Sequence, residues 1–571
     1  MFEPLVLAAA ATLAAATQVP ADARAAAVDA RAVSVALARL ASEHPQMATV
    51  LPVADSRGGR KLEVLRLAAG ERAKGRPAIL VVANLEGPWA WTTGLVLDEA
   101  RELAARYATD AAVKELLDTT TLYLVPCANP DAAEARFATP LVEERAGAPW
   151  ADDDRDGLAG EDGPSDVDGD GRVLWMRKAD PEGEWIADPA DARAMVKADR
   201  AKGERGAWKL FVEGRDSDVD EKTGEDPLAD VQVGRNFPNG WKEHAPEAGP
   251  WPMSEPEARG LAEFLLTHKD VQLVVVYGAQ DNLLEKPKTG PDEGGRGRLA
   301  ATPESDAKLL AELGRRYKEL TSAKAKGEGD EHGTFAAWCQ LERGLPVLSI
   351  APWSLPLDEE APKKDEAPKD DETSKDAAKK DAPKKDKEKR EPSDDAKRLR
   401  WIDAKNEGAR FVAWKPFQHP ELGAVEIGGF APYALIEPPE GERAAIADGQ
   451  RAFLASLGAA LARVKLVDAR AKDLGGVWKV EVAVENASYL PLLTAAGRRT
   501  SAPRPARVVL RLPPSATLVA GDKQTLVRDL PGSGGRKELT WLVLGAAPSQ
   551  IQIEVDTDAA GTAVASPVIV K

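Results

Sequence analysis

The chain has 571 residues, 43% of them hydrophobic, and a formal net charge of −17. That is too long for one domain and apolar enough for real cores. The acidity argues against nucleic acid or an anionic membrane as the main partner and says nothing about the fold.

The chain opens "MFEPLVLAAAATLAAATQVPADARA". Leu5 to Ala16 is a short apolar run, and Ala21 to Ala23 is a small-residue cleavage pattern. Residues 1–23 therefore read as an export signal, although Glu3 stands where a Lys or Arg is usual. The run is too short to span a bilayer, and no other segment is long enough. Export would place the protein in the periplasm, outside the cell or on its surface. Cys127 and Cys339 are the two cysteines, and sequence leaves open whether they are bridged or separate buried thiols.

Residues 28–45 have a helical pattern. "ATVLPVADSRGGRKLEVLRLA" reads as two strands joined by a turn at Arg57–Arg60. Next come the strand "AILVVAN", helices over 92–107 and 111–118, and the strand "TLYLVPCANP". This alternation argues an α/β sheet. An Asp-rich loop, 150–171, interrupts it. "SEPEARGLAEFLLTHKD" predicts a helix capped by Ser254 with Glu257 three residues on. The buried strand "VQLVVVYG", helices near 303–321 and 333–343, and the strand "LPVLSIAPW" follow. Residues 358–398 are Lys, Asp, Glu, Ala and Pro of mixed charge, which predicts a disordered insertion. Residues 399–463 return to patterned sequence and end in a helix over 441–463. From 464 to 571 the alternating strands predict an antiparallel β-sandwich.

The motifs "DSRGGRKLEVLRL", "DTTTLYLVPCANPDAAE", "VGRNFPNGW", "PMSEPEARGLAEFLL", "GTFAAWCQLERGLPVLSIAPW" and "FVAWKPFQHPELGAVEIGGF" occur in that order. Together they resemble the zinc carboxypeptidase (metallocarboxypeptidase) family, in its large exported bacterial form with a C-terminal β domain. The resemblance implies an α/β fold over 24–357, with a mixed parallel and antiparallel sheet flanked by helices and 399–463 completing or bracing it. In that family one zinc is held by a His-x-x-Glu pair after a strand plus a later His, and a glutamate base activates the metal-bound water.

Aligned on these motifs, Glu86 takes the place of the first His and Trp89 that of the ligand Glu. The later His would fall at Tyr277 or Gly278, and Ala351 takes the place of the base. The substrate tyrosine before "GTF" is missing as well. The five histidines are His44, His244, His268, His332 and His419. The one His-x-x-Glu, His244 to Glu247, contains a Pro in a loop pattern. Glu86, Trp89, Tyr277 or Gly278, and Ala351 are expected to meet at one end of the sheet.

Part of the binding side persists. Arg235 matches an arginine that grips a substrate's terminal carboxylate, for which a planar guanidinium is suited. Gly234 replaces its neighbouring asparagine. Arg177 matches an arginine that polarises the scissile carbonyl; the alternative for both arginines is a surface ion pair.

Two Asp-x-Asp-x-Asp-Gly runs, Asp152, Asp154, Asp156 and Asp166, Asp168, Asp170, have spacing suited to calcium. Neither has an acid at its twelfth position, where Gly163 and Arg177 stand; Glu161 and Asp162 are possible substitutes, and a solvated acidic loop is the alternative.

The leading expectation is a non-catalytic, exported binding or scaffold protein, without zinc, that holds a peptide C-terminus or another carboxylate. The alternatives are an active zinc-dependent carboxypeptidase with a rearranged site, or a calcium-stabilised cell-surface module.

Overall fold

The computed structural model describes residues 26–70, 75–145, 163–215, 231–294, 297–324, 327, 332–357 and 391–570. Residues 1–23 and Asp152, Asp154 and Asp156 lie outside them, as does most of the predicted insertion.

A six-stranded mixed sheet forms the centre of the α/β body. Its spatial order is Ala48–Asp55, Lys61–Leu67, Thr121–Val125, Ala78–Ala83, Val271–Tyr277 and Val347–Ile350. The first three strands pair antiparallel and the last four pair parallel. Alternate residues of the Ala78–Ala83 strand enter opposite cores, as the two-residue period of a strand requires. Ile79, Val81 and Ala83 pack with the helices Ala30–Glu43, Trp91–Arg106 and Glu440–Leu457. Leu80 and Val82 pack with Leu261 and Phe264 of the helix Pro256–Thr267. This double coverage explains the unbroken apolar runs in the sequence.

Ser254 does not cap that last helix. Its hydroxyl accepts from Asn236 Nδ2 at 2.9 Å and lies 3.1 Å from the Glu255 carboxylate. Glu255 stands at the cap position, its carboxylate bonded to Arg57 rather than to the helix's own N–H groups, and Pro256 opens the helix. The predicted 333–343 helix is a short turn, Phe335–Ala337, continued by a wider π turn, Trp338–Glu342.

A second sheet, antiparallel throughout, was not foreseen. Its order is Phe411–His419, Gly423–Phe430, Trp175–Ala179, Trp208–Val212, Trp185–Asp188 and Asp191–Lys197. It joins segments from both sides of the low-complexity stretch. That stretch also ends earlier than predicted. Asp394–Lys405 is a helix, because Ser393 caps Ala396 N at 3.1 Å and Ala396, Leu399, Trp401 and Ile402 are buried.

The C-terminal part is two facing sheets with a common core that includes Val480, Val482 and Trp541 of one and Val508, Leu510 and Ile553 of the other. All pairings are antiparallel except a two-residue edge contact, Arg470 with Val568 and Ala471 with Ile569. Among the described residues no helix is long and apolar enough to cross a membrane.

Candidate functional site

The parallel strands deliver their C-terminal ends to one edge, where α/β folds place chemistry. Glu86 follows the Ala78–Ala83 strand, Gly278 follows Val271–Tyr277, and Ala351 follows Val347–Ile350. Gly278 N donates to Ile350 O at 3.0 Å, which ties two of these ends together. The buried Glu86 side chain occupies space that two glycines leave. A β-carbon on Gly278 would strike its Oε2, and one on Gly234 would sit 3.3 Å from its Cγ and Oε1.

Trp89 is buried at the same edge with Ala279, Tyr433 and Ile436. The Arg145 guanidinium lies 5.4 Å from its ring centroid. Tyr277 points the other way. Its hydroxyl donates to Glu99 Oε1 at 2.9 Å inside the core, and burial pushes the Glu99 carboxyl up to about 8. Beside Ala351, Asp281 Oδ1 accepts from Leu283 N, Leu284 N and Glu285 N, and its Oδ2 accepts from Ala351 N at 3.4 Å. That carboxylate holds a loop in place.

This edge does not fit a zinc ion. Glu86 offers one carboxylate, while Trp89, Gly278 and Ala351 offer no side-chain donor. Among the described residues the one trio of His, Cys, Asp or Glu able to converge on an ion lies elsewhere. The histidines have other roles. His419 is buried, its Nε2 bonded to Gly214 O at 2.9 Å, and its Nδ1 accepts from Glu421 N and Leu422 N. His268 stacks on Phe264 at 3.8 Å. His44 ends the first helix, and His244 is exposed. His332 is exposed beside Gly240, and its carbonyl accepts from Arg235 Nη1 at 3.2 Å. Cys127 and Cys339 are free and buried. Burial pushes the Cys127 thiol up to about 12 and the Cys339 thiol well above its ordinary range, so neither is a poised nucleophile.

Of the two arginines, Arg235 belongs to this neighbourhood, since Gly234 touches Glu86. Arg177 lies in the second sheet. It pairs with Glu426 at 2.6 Å and sits between the rings of Trp208 and Trp414, at 4.7 and 4.5 Å.

Residues 33–152 match the family described as zinc carboxypeptidase, and residues 463–567 match a domain of unknown function (DUF8731). Over 113 residues the chain is 34% identical to carboxypeptidase D of Mus musculus, which is 17% of this chain and 8% of that protein. Over 99 residues it is 27% identical to a zinc carboxypeptidase of Saccharothrix mutabilis subsp. capreolus, 17% of this chain and 23% of that one. The chain thus spans under a tenth of the mouse relative's length. Carboxypeptidase A from Helicoverpa armigera aligns with a TM-score of 0.36 at 14% identity, over 59% of this chain and 66% of that one. Thrombin activatable fibrinolysis inhibitor aligns at 0.37 and 13%, over 58% and 69%.

In the described part of the acidic loop, residues 163–171, the backbone makes a compact turn. Asp166 accepts from Gly169 N, Asp170 N and Gly171 N; Asp168 accepts from Asp170 N, and Asp170 from Arg172 N. Sequence reading missed Glu213, which is buried behind this loop. Its carboxylate accepts from Val167 N, Asp168 N and Leu174 N, and burial raises it to about 7. One ligand atom each from Asp166, Asp168 and Glu213 lie within 4.8 Å of one another. The available signal was weak: an acid at the end of an alternating run, "LFVEG", 45 residues beyond Asp168. Asp170 is not part of this trio.

Proposed function

We propose that this chain is an exported zinc carboxypeptidase-like protein that has lost its metal chemistry and works as a binding or scaffold protein. Its former cleft holds a peptide C-terminus or another carboxylate through Arg235. What carries this reading is Glu86, wedged between Gly234 and Gly278 with Trp89 packed at the same edge. That packing fills the place where the family would hold a metal and its water. Export rests on the composition of residues 1–23.

The test is a titration with short peptides bearing a free C-terminal carboxylate or its amide. The free acids bind at least about tenfold more tightly than the amides, a difference of about 1.4 kcal/mol, and Arg235→Ala removes the preference. Equal affinity for acid and amide would sink the reading, as would zinc-dependent release of C-terminal residues.

Calcium stabilisation is a second, compatible reading, and the convergence of Asp166, Asp168 and Glu213 favours it. Hard carboxylate oxygens around a tight turn suit that ion. A melting temperature unmoved by calcium against chelator would remove it.

A further inference from the structure

A cleft of about 410 Å³ runs between the α/β body and the C-terminal sandwich. That volume lies in the range of small-molecule sites. Leu265 and Leu266, at the end of the Pro256–Thr267 helix, form one wall, with Leu345 and Pro346 beside them. Leu492 and Pro503 face them from the other body.

The charges in this apolar setting are one-sided. Three cations line the cleft, Lys269, Arg343 and Arg504, against a single acid, Asp558. Arg504 and Asp558 pair with each other at 3.7 Å. Lys269 and Arg343 have no carboxylate within ion-pair distance among the described residues; Arg343 lies 5.9 Å from the Trp338 ring centroid. In a chain of net charge −17, two uncompensated cations on apolar walls set up a local positive potential. That favours an anion with an apolar body. The guanidinium fork of Arg343 matches a carboxylate, and the Lys269 ammonium adds a point charge.

We propose that this cleft binds an apolar chain ending in one carboxylate. The same chemistry is offered by a medium-chain fatty acid and by an apolar peptide C-terminus. The site is separate from the Glu86 edge and does not depend on Arg235.

The test titrates the full chain by calorimetry with decanoate, N-acetyl-Leu-Leu and decanol. Decanoate, the dipeptide or both bind saturably at one site, and the tighter of the two identifies the source; decanol binds at least about tenfold more weakly. Lys269→Glu with Arg343→Glu weakens the acids at least about tenfold. Both side chains lack ion-pair partners, so the melting temperature should hold. Leu266→Glu, at an exposed wall position, gives an independent loss. Arg235→Ala leaves this binding intact, so failure here and failure of the Arg235 site are distinguishable. Absence of saturable acid binding, equal binding of decanol, or full affinity in the double variant overturns the proposal.

Discussion

The strand-end edge and the acidic loop reach opposite results from similar backbone opportunities. At the edge, three parallel strands converge on a place suited to chemistry, yet the positions there are Glu86, Trp89, Gly278 and Ala351. Of these four side chains only Glu86 carries a carboxylate, and it is packed against two glycines. At the loop, an irregular turn gathers Asp166, Asp168 and the distant Glu213 within reach of one ion. Where donors are absent, apolar contact and glycine spacing determine the structure. Where carboxylates crowd, backbone N–H groups donate to each of them.

The largest test of the packed edge is Trp89→Ala. The indole is the main body of the cluster with Ala279, Tyr433 and Ile436, so its loss should cost about 3–5 kcal/mol in urea unfolding. A cost under about 1 kcal/mol would mean that the edge is an open cleft.

Next comes Glu99, buried below the edge against Tyr277. Its folded pKa is about 8 against an ordinary 4.5. The folded state therefore holds the proton more tightly than the unfolded chain. The stability this contributes is fully present below about pH 4.5 and is lost as pH rises through about 8. Unfolding midpoints should fall over that window by the equivalent of about a few kcal/mol, and Glu99→Gln should flatten this part of the profile. An unchanged slope in that variant would contradict the assignment.

Gly278→Ala should cost about 1–3 kcal/mol, because the new methyl strikes the Glu86 carboxylate. Glu86→Ala should remove most of that penalty, a coupling that a double-mutant cycle reads directly. Additive costs would separate the two residues.

The smallest effect belongs to the loop. Millimolar calcium should raise the melting temperature by about 2–4 °C over chelator. Glu213→Gln should abolish the rise, and a variant that still responds would place the ion elsewhere.

Much of the α/β core was legible in the sequence, because strands such as Ala78–Ala83 and Val271–Tyr277 are apolar on both faces and read as unbroken runs. The second sheet was not. Its strands, "WMRKA" and "WKLFV" among them, mix aromatic and charged residues, and the pairing of "WMRKA" with 423–430 crosses the low-complexity stretch. The helix Asp394–Lys405 was hidden because its first turn, Asp394-Asp395-Ala396-Lys397, has the composition of the tract before it. Only the apolar residues further on, Leu399, Trp401 and Ile402, reveal a buried face. At the edge, motif order supplied Glu86, Trp89, Gly278 and Ala351. The space that Gly234 leaves for Glu86 depends on a contact between distant segments. Glu213 was out of reach for the same reason, since nothing local ties it to the loop it braces.

In the proposed function, packing replaces the catalytic set of the zinc carboxypeptidases. The most direct test is the zinc content of the purified, folded chain after dialysis against a mild chelator. The expected result is far less than one zinc per chain, with the fold and its cooperative unfolding intact. About one tightly held zinc per chain, lost only together with the fold or with peptide hydrolysis, would contradict it.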